Sequence, residues 1–350
     1  MLFRSDNVTA VCPEVIAAIL AVNEGDAAPY GADAVTARLD EAFGRYFEAA
    51  VHVHPVATGI AANALSLAAA MPPPGAALCH VNAHVNTSES GAPEFFSGGG
   101  KLITLDGAHG RLDPAAIERL LAALPPDRLQ SAPPTVVTIT QGTEAGTVYS
   151  LDEIAAIAAI CRARGLVLHM DGARFENARA RLGCTPAALA WRAGVDVLSY
   201  GATKNGAMCA DAVVIFRASP HAERLNRFMG QRRLRAGQVF SKMRYLSAQL
   251  LAMIEGEVAS RNAAHANAAA ARLSAGLAAL PGVRLAHPTE INEVFVHMPE
   301  AIRGGLAAGG FPVRARPEDP DLVRFVTAWN TRMEDVEAFL RAAEGATACA

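Results

Sequence analysis

Two residues of this chain are spaced to do chemistry together. Asp171 follows the apolar run Leu166-Val167-Leu168-His169-Met170 and precedes Gly172-Ala173-Arg174. Lys204 sits in Gly201-Ala202-Thr203-Lys204-Asn205-Gly206, after the run Val195-Asp196-Val197-Leu198-Ser199-Tyr200. Read as neighbouring strands of a buried sheet, the two runs deliver both groups at strand carboxyl ends, where open α/β sheets bind ligands. A carboxylate that can pair with a protonated pyridine nitrogen and a lysine that can form an imine are the two requirements of pyridoxal phosphate chemistry. The pairing favours the protonated ring by roughly 1–3 pKa units, and that ring is the better sink for electrons released at Cα. Each residue alone has a plainer reading: Asp171 as a helix cap or partner of Arg174, Lys204 as an exposed loop lysine. The chain has three lysines against 28 arginines, and arginine makes no imine.

Other groups fit around that pair. Thr58-Gly59-Ile60-Ala61-Ala62-Asn63 follows a strand and opens a helix, so its free N–H groups form an anion site. His84 follows the Ala76–Val81 strand; it could stack on a flat ring and move a proton, or be a hydrogen-bonded loop histidine. Arg324 is a charge in an apolar strand, suited to carboxylate recognition or to reaching solvent from a sheet edge. Ser5-Asp6-Asn7 is a polar cluster before the first helix. Ser97-Gly98-Gly99-Gly100-Lys101-Leu102 lacks the spacing and the Ser or Thr of a P-loop. His52 with His54, and His80 with His84, lack a third ligand, so no metal is expected.

The elements that must hold these groups read as α/β. Strands are expected at Val51–Val56, Ala76–Val81, Lys101–Thr104, Thr135–Thr140, Leu166–Met170, Val195–Tyr200 and Ala212–Phe216. Helices are expected at 13–24, Ala34–Phe47, Gly59–Ala70 and Leu151–Arg164. The alternation implies a mostly parallel sheet covered on both faces. From about residue 220 the character changes. A long helical stretch spans Tyr245–Leu280. Strands at Val283–Leu285, Glu293–His297 and Leu322–Val326 and helices at Ala301–Ala308 and Met333–Ala343 then suggest a smaller α+β unit. Loops are expected at Pro72–Gly75, Pro125–Pro134 and Arg314–Asp321. The division expected is a large domain over 1–240 and a small one over 241–350.

Composition excludes several classes. The net charge is -3 over 350 residues, which suits neither nucleic acid nor an anionic membrane. No apolar stretch is long enough to span a bilayer, and the first residues lack the pattern of a secretory signal. Six scattered cysteines form no Cys-x-x-Cys pair, as expected of a soluble, cytoplasmic protein.

His169-Met170-Asp171-Gly172-Ala173-Arg174 and Gly201-Ala202-Thr203-Lys204-Asn205-Gly206 together resemble the low-specificity L-threonine aldolases, in the β-eliminating lyase superfamily with its aspartate aminotransferase-like fold. Arg4-Ser5-Asp6-Asn7, Tyr30-Gly31, Ala83-His84-Val85, Gly91-Ala92-Pro93-Glu94-Phe95-Phe96, Val136–Gln141 and Arg324–Trp329 extend the resemblance over nearly the whole chain. It implies a pyridoxal 5'-phosphate enzyme that cleaves L-threonine, L-allo-threonine and related amino acids to glycine and an aldehyde. Lys204 would carry the cofactor, Asp171 would pair with its ring nitrogen, and His84 would stack on the ring and act on the substrate hydroxyl. Arg174 would lie near the phenolic oxygen and the substrate carboxylate, which Ser5 and Arg324 would also bind. Thr58, Gly59, Ile60 and Thr203 would hold the phosphate. Ile60 stands where members usually have Thr, and Gln130 near where many have a second histidine. A homotetramer built from dimers is implied, in which the Arg232-Arg233-Leu234-Arg235 run either reaches a neighbour's phosphate or forms a solvated helix face. A phenylserine aldolase, a lyase eliminating a β-substituent and a non-catalytic cofactor-binding regulator remain open alternatives.

Overall fold

Six strands of the main sheet point one way, and that shared direction gathers the functional groups. The computed structural model describes residues 2–124, 129–316 and 319–348. Its seven-stranded sheet comprises β1 (Val51–Val56), β2 (Ala76–His80), β3 (Lys101–Leu105), β4 (Pro134–Thr140), β5 (Val167–Gly172), β6 (Val197–Gly201) and β7 (Asp211–Phe216), in the order β1-β7-β6-β5-β4-β2-β3. Strands β2 to β6 pair in parallel, while β7 runs antiparallel to both β6 and β1. β1 therefore runs with the parallel strands, and the amino end of β7 joins six carboxyl ends at one edge. Every residue of β5, β6 and β7 is buried, as a sheet covered on both faces requires.

The helices that matter here are α1 (Pro13–Ala21), α2 (Gly59–Ala70), α3 (His84–Thr87), α4 (Leu151–Arg164), α5 (Arg244–Ile254), α6 (Val258–Ala278) and α7 (Met333–Ala348). α2 is capped by Thr58, whose Oγ1 accepts the Ala61 N–H at 3.1 Å. Ten of its twelve residues are buried, so it is apolar nearly all round and lies inside the protein. α4 begins with a reciprocal Ser150–Glu153 capping box and ends at Gly165, φ 66°.

Three expected segments differ. The Tyr245–Leu280 stretch is two helices, α5 and α6, because Gly256 (φ 76°) and Glu257 (φ 60°) adopt left-handed backbone that no helix continues through. Ala34–Phe47 divides at Arg38, whose N–H bonds three residues back to the Val35 carbonyl. The Arg314–Asp321 loop instead contributes to strands β10 (Ala315–Arg316) and β11 (Asp319–Val326), with residues 317 and 318 outside the described residues. Pro320 is tolerated there because β11 pairs with β9 (Glu293–His297) only from Leu322 onward. Residues 125–128 of the Pro125–Pro134 loop also lie outside the described residues. No helix among the described residues is long and apolar enough to cross a membrane.

A second sheet, antiparallel throughout, has the order β10-β11-β9-β8, with β8 at Arg284–Leu285 and β9 at Glu293–His297. Its core joins Leu273 and Leu277 of α6 to Val294, Val296, Phe325 and Phe339. Phe3 belongs to the same core, edge-on to Phe339 with ring centres 5.5 Å apart. The Phe3 carbonyl accepts the Val326 N–H at 2.8 Å. This stitch carries Ser5, Asp6 and Asn7 from the small sheet toward the ligand edge of the large one.

Candidate active site

A cavity of about 400 Å³ opens at that edge, within the roughly 300–1,000 Å³ of small-molecule sites. Lys204, Asp171, His84, Arg174, Thr58, Gly59, Ile60 and Thr203 all line it. Ser5 and Arg324 do not.

Asp171 is the next-to-last residue of β5 and is buried. Its Oδ2 accepts from Asn63 Nδ2 at 2.8 Å and its Oδ1 from the Ala173 N–H at 2.9 Å, so the carboxylate is held in one orientation. Beneath it, His169 bridges Thr138 (2.7 Å) and Ser199 (2.9 Å) across three strands. Burial pushes His169 down to about 4, so it is neutral. The ends of β5 and β6 close because residue 201 is glycine: a Cβ there would lie 2.7 Å from the Ala173 Cα. Lys204 follows β6 in a single helical turn. Burial, and then the Arg174 charge, lower its amine below the ordinary lysine range, against the opposing pull of Asp6, Asp171 and Glu293. A lowered pKa is what a nucleophilic lysine needs.

His84 opens α3 and is fixed twice. Its Nδ1 lies 2.8 Å from Glu89 Oε1, and its backbone N–H donates to Glu144 Oε1 at 2.7 Å. The bond to Glu89 raises the His84 pKa, with burial opposing and Asp171 assisting. Glu89 is buried, and the same Oε1 accepts from Asn63 Nδ2 at 2.9 Å. Asn63 thus ties the histidine's carboxylate partner to Asp171.

Arg174 lines the cavity with its guanidinium heavily engaged. Nε and Nη2 donate to Asp6 at 2.9 and 3.1 Å, and Nη1 pairs with Glu293 at 3.0 Å. Burial raises the Asp6 carboxyl, but Arg174, Lys204 and the hydrogen bond from Asn292 together reverse this and hold it below the ordinary range. Arg324 reaches the other oxygen of Glu293 at 3.4 Å, one step behind Arg174. Ser5 accepts the Asn7 N–H at 3.1 Å and caps the turn that carries Asp6.

The anion end is built from α2. Among the described residues the Gly59 and Ile60 N–H groups have no internal acceptor, and the Thr58 hydroxyl keeps its proton to donate. Ile60 removes a side-chain hydroxyl and leaves the backbone donor intact. Thr203 lines the cavity with its hydroxyl engaged inside the protein: it donates to Asp211 Oδ2 at 3.3 Å and accepts from the Ala210 N–H at 3.2 Å. Asp211 opens β7, accepts from the Ala202 and Thr203 N–H groups at 2.8 and 3.2 Å, and is pushed up to about 6 by burial. Gln130 is exposed and precedes β4, at the amino end of a strand whose carboxyl end faces the cavity.

Sequence reasoning gave no role to Asn63, Glu89, Glu144, Asp211 or Glu293. Asn63 carried a signal, as one amide inside Gly59-Ile60-Ala61-Ala62-Asn63-Ala64-Leu65, where an unpartnered polar group would be costly. Glu89 and Glu144 sit among Ser, Thr and Gly and read as turn residues.

The Beta-eliminating lyase family model matches residues 3–301. A low specificity L-threonine aldolase of a Pseudomonas species is 43% identical over 343 residues, covering 97% of each chain. Another, of Pseudomonas aeruginosa, is 42% identical over 97% of this chain and 96% of its own. Among solved structures, a threonine aldolase of Leishmania major superposes with a TM-score of 0.90 at 27% identity, covering 99% of both chains.

Proposed function

The chain belongs to the β-eliminating lyase family, and from that premise we propose that it is an L-threonine aldolase of low specificity. It cleaves L-threonine, L-allo-threonine and related L-β-hydroxy-α-amino acids to glycine and an aldehyde. The observation that carries this reading is the joining of Lys204, Asp171 and His84 in one cavity, in a chain so similar to named L-threonine aldolases.

The residues present fit pyridoxal 5'-phosphate. Gly59 and Ile60 offer backbone N–H groups and Thr58 a hydroxyl to its phosphate. Asp171, locked by Asn63 and Ala173, suits the ring nitrogen, and Lys204 suits the aldehyde. When bound, the cofactor supplies an electron sink for the pair left when a bond to Cα breaks.

The chain's own residues do the rest. Glu89 accepts from Nδ1 of His84, which leaves Nε2 as the basic nitrogen for the β-hydroxyl proton. Arg174 keeps N–H groups beyond those bound to Asp6 and Glu293 for an oxygen of the cofactor or substrate. Arg324 and Ser5 serve the substrate carboxylate from the small-sheet side. The enzyme acts as a homo-oligomer, which light scattering tests.

Product analysis tests the reading. With pyridoxal phosphate added, L-threonine, L-allo-threonine and L-phenylserine should each yield glycine and the matching aldehyde. Pyruvate and ammonia from substrates with a leaving group at Cβ, with no glycine from any β-hydroxy amino acid, would replace it with an eliminating lyase. A protein that stays colourless with the cofactor and turns over nothing would replace it with a non-enzymatic role.

A further inference from the structure

Glu144 has no task in the proposed reaction, yet its side chain is placed for one. It lies on the turn after β4 and lines the cavity beside Thr140 and Gly142. Its Oε1 is fully committed, accepting the His84 N–H at 2.7 Å and the Thr140 hydroxyl at 3.0 Å. These two bonds fix the plane of the carboxyl group. Its Oε2 is buried and has no hydrogen-bond partner among the described residues. A buried carboxyl oxygen left so carries a free-energy cost, and a molecule held in the cavity is the partner this residue can still reach.

The surroundings decide which form of the carboxyl is held. The ionisable groups that face it are Asp171 at the end of β5, Cys79 on β2, Tyr149 beyond the turn, and Arg174. His84 meets it through backbone alone. Arg174 is the one cation of this set, and Asp6 and Glu293 already claim its charge. Burial, and then Asp171, push Glu144 up to about 7. A carboxylate can only accept, whereas a carboxylic acid can donate.

Resting on the cofactor and substrate class proposed above, we infer that Glu144 works as a neutral acid whose Oε2–H donates to an anionic oxygen of the bound molecule. It is thereby a second proton-bearing residue beside His84. The oxygen belongs either to the cofactor or to the amino acid's carboxylate, which share this chemistry. In alkaline solution the free protein holds Glu144 as a carboxylate, so binding adds one proton to Oε2, taken from the buffer acid. In mildly acidic solution the proton is already there and none is taken up.

Calorimetric proton counting tests this. Pyridoxal phosphate is titrated into the cofactor-free protein, and glycine into the loaded protein, each in two buffers of different ionisation enthalpy. The wild type is compared with Glu144→Gln, which keeps the acceptor for His84 and Thr140 and has no proton to take up. At about pH 8.5 the wild type should take up as much as one proton more than the variant, and at about pH 6 the difference should vanish. An excess in the first titration assigns the oxygen to the cofactor, and in the second to the amino acid. Equal counts in both titrations at the higher pH would overturn the inference. Should the variant not fold, infrared difference spectra of the wild type serve instead: a protonated-carboxyl band must appear at that pH either on cofactor loading or on glycine binding, and its absence from both is equally fatal. Normal aldehyde release with equal proton counts sinks this inference alone. The expected excess without aldehyde from any substrate sinks the aldolase reading alone.

Discussion

Glu89 offers the most direct test of how His84 would be made into the proposed base. Its side chain is fully buried, and one oxygen serves two donors, His84 Nδ1 at 2.8 Å and Asn63 Nδ2 at 2.9 Å. Glu89→Ala removes the acceptor that both donors share and frees the ring. A charge-assisted hydrogen bond contributes about 1.5–3 kcal/mol, and each 1.36 kcal/mol is tenfold in rate. If the whole contribution is felt in the transition state, kcat/KM falls roughly 10- to 150-fold. Glu89→Gln is the finer probe, because its amide oxygen can still accept from both donors while the charge is gone. The bond to Glu89 is the largest cause raising the His84 pKa, so this variant lowers that pKa. A base works when neutral, so the acid limb of the kcat/KM profile should move to lower pH. Aldehyde release from L-allo-threonine, followed from about pH 5 to 9, reads the limb directly. A Glu89→Gln profile that overlays the wild type, with Glu89→Ala within a factor of about two in kcat/KM, would refute the reasoning.

Three further outcomes are expected. Lys204→Ala should lose the visible absorption of the bound cofactor and all multiple turnover; a variant that keeps both would remove Lys204 from the reaction. Thr58→Ala should cost about 1 kcal/mol of stability through the lost cap of α2, read from urea melts, and weaken cofactor binding in a fluorescence titration; unchanged affinity would discount the hydroxyl at the phosphate. Glu144→Gln should change stability with a particular pH dependence. Because the folded carboxyl is raised from 4.5 to about 7, the native state binds this proton more tightly than the unfolded chain. Its contribution is favourable at low pH and is lost as pH rises through the folded value, by up to about 3 kcal/mol. The variant lacks that loss, so its stability relative to wild type should rise from pH 5 to pH 8. A difference that is flat across that range would contradict the raised pKa.

What could be read in the sequence was what is encoded locally. α2 and α4 run over the residues expected of them because Thr58 and the Ser150–Glu153 pair mark their starts within one turn. Asp171, Lys204 and His84 were legible because the first stands at a strand's carboxyl end and the other two follow one, and that end is where α/β sheets bind ligands. The supporting groups were not legible, because topology brings them together. Asn63 and Asp171 are 108 residues apart, and Glu144 lies 60 residues from the His84 N–H it holds. Asp211 reaches the cavity because β7 reverses direction, and strand patterning alone carries no direction. The expectations for Thr203 and Arg174 did not include Asp211 or Asp6 as their partners. Their hydrogen bonds to Asp211 and Asp6 depend on segments that no spacing along the chain connects.

The charges gathered at this edge constrain one another. Around Lys204 and Arg174 stand Asp6, Asp171, Glu89, Glu144, Asp211 and Glu293, all buried or lining the cavity. Were every carboxyl ionised, the site would be strongly negative where an anionic cofactor and an anionic substrate are proposed to bind, and repulsion would oppose both. The structure resolves this by giving the carboxyls unequal partners. Asp6 and Glu293 share the guanidinium of Arg174. Asp171 has an amide and a backbone N–H. Glu144 and Asp211 have no cation among their hydrogen-bond partners and are pushed up toward neutrality by burial, to about 7 and about 6, and burial raises Glu89, the partner of His84, as well. Asp211 lies beside the N-terminus of α2, 4.0 Å from where a Gly59 Cβ would stand, and Glu144 beside His84. The raised carboxyls therefore stand at the proposed phosphate end and beside the histidine proposed to handle the hydroxyl proton, the two places where added negative charge would have to be accommodated.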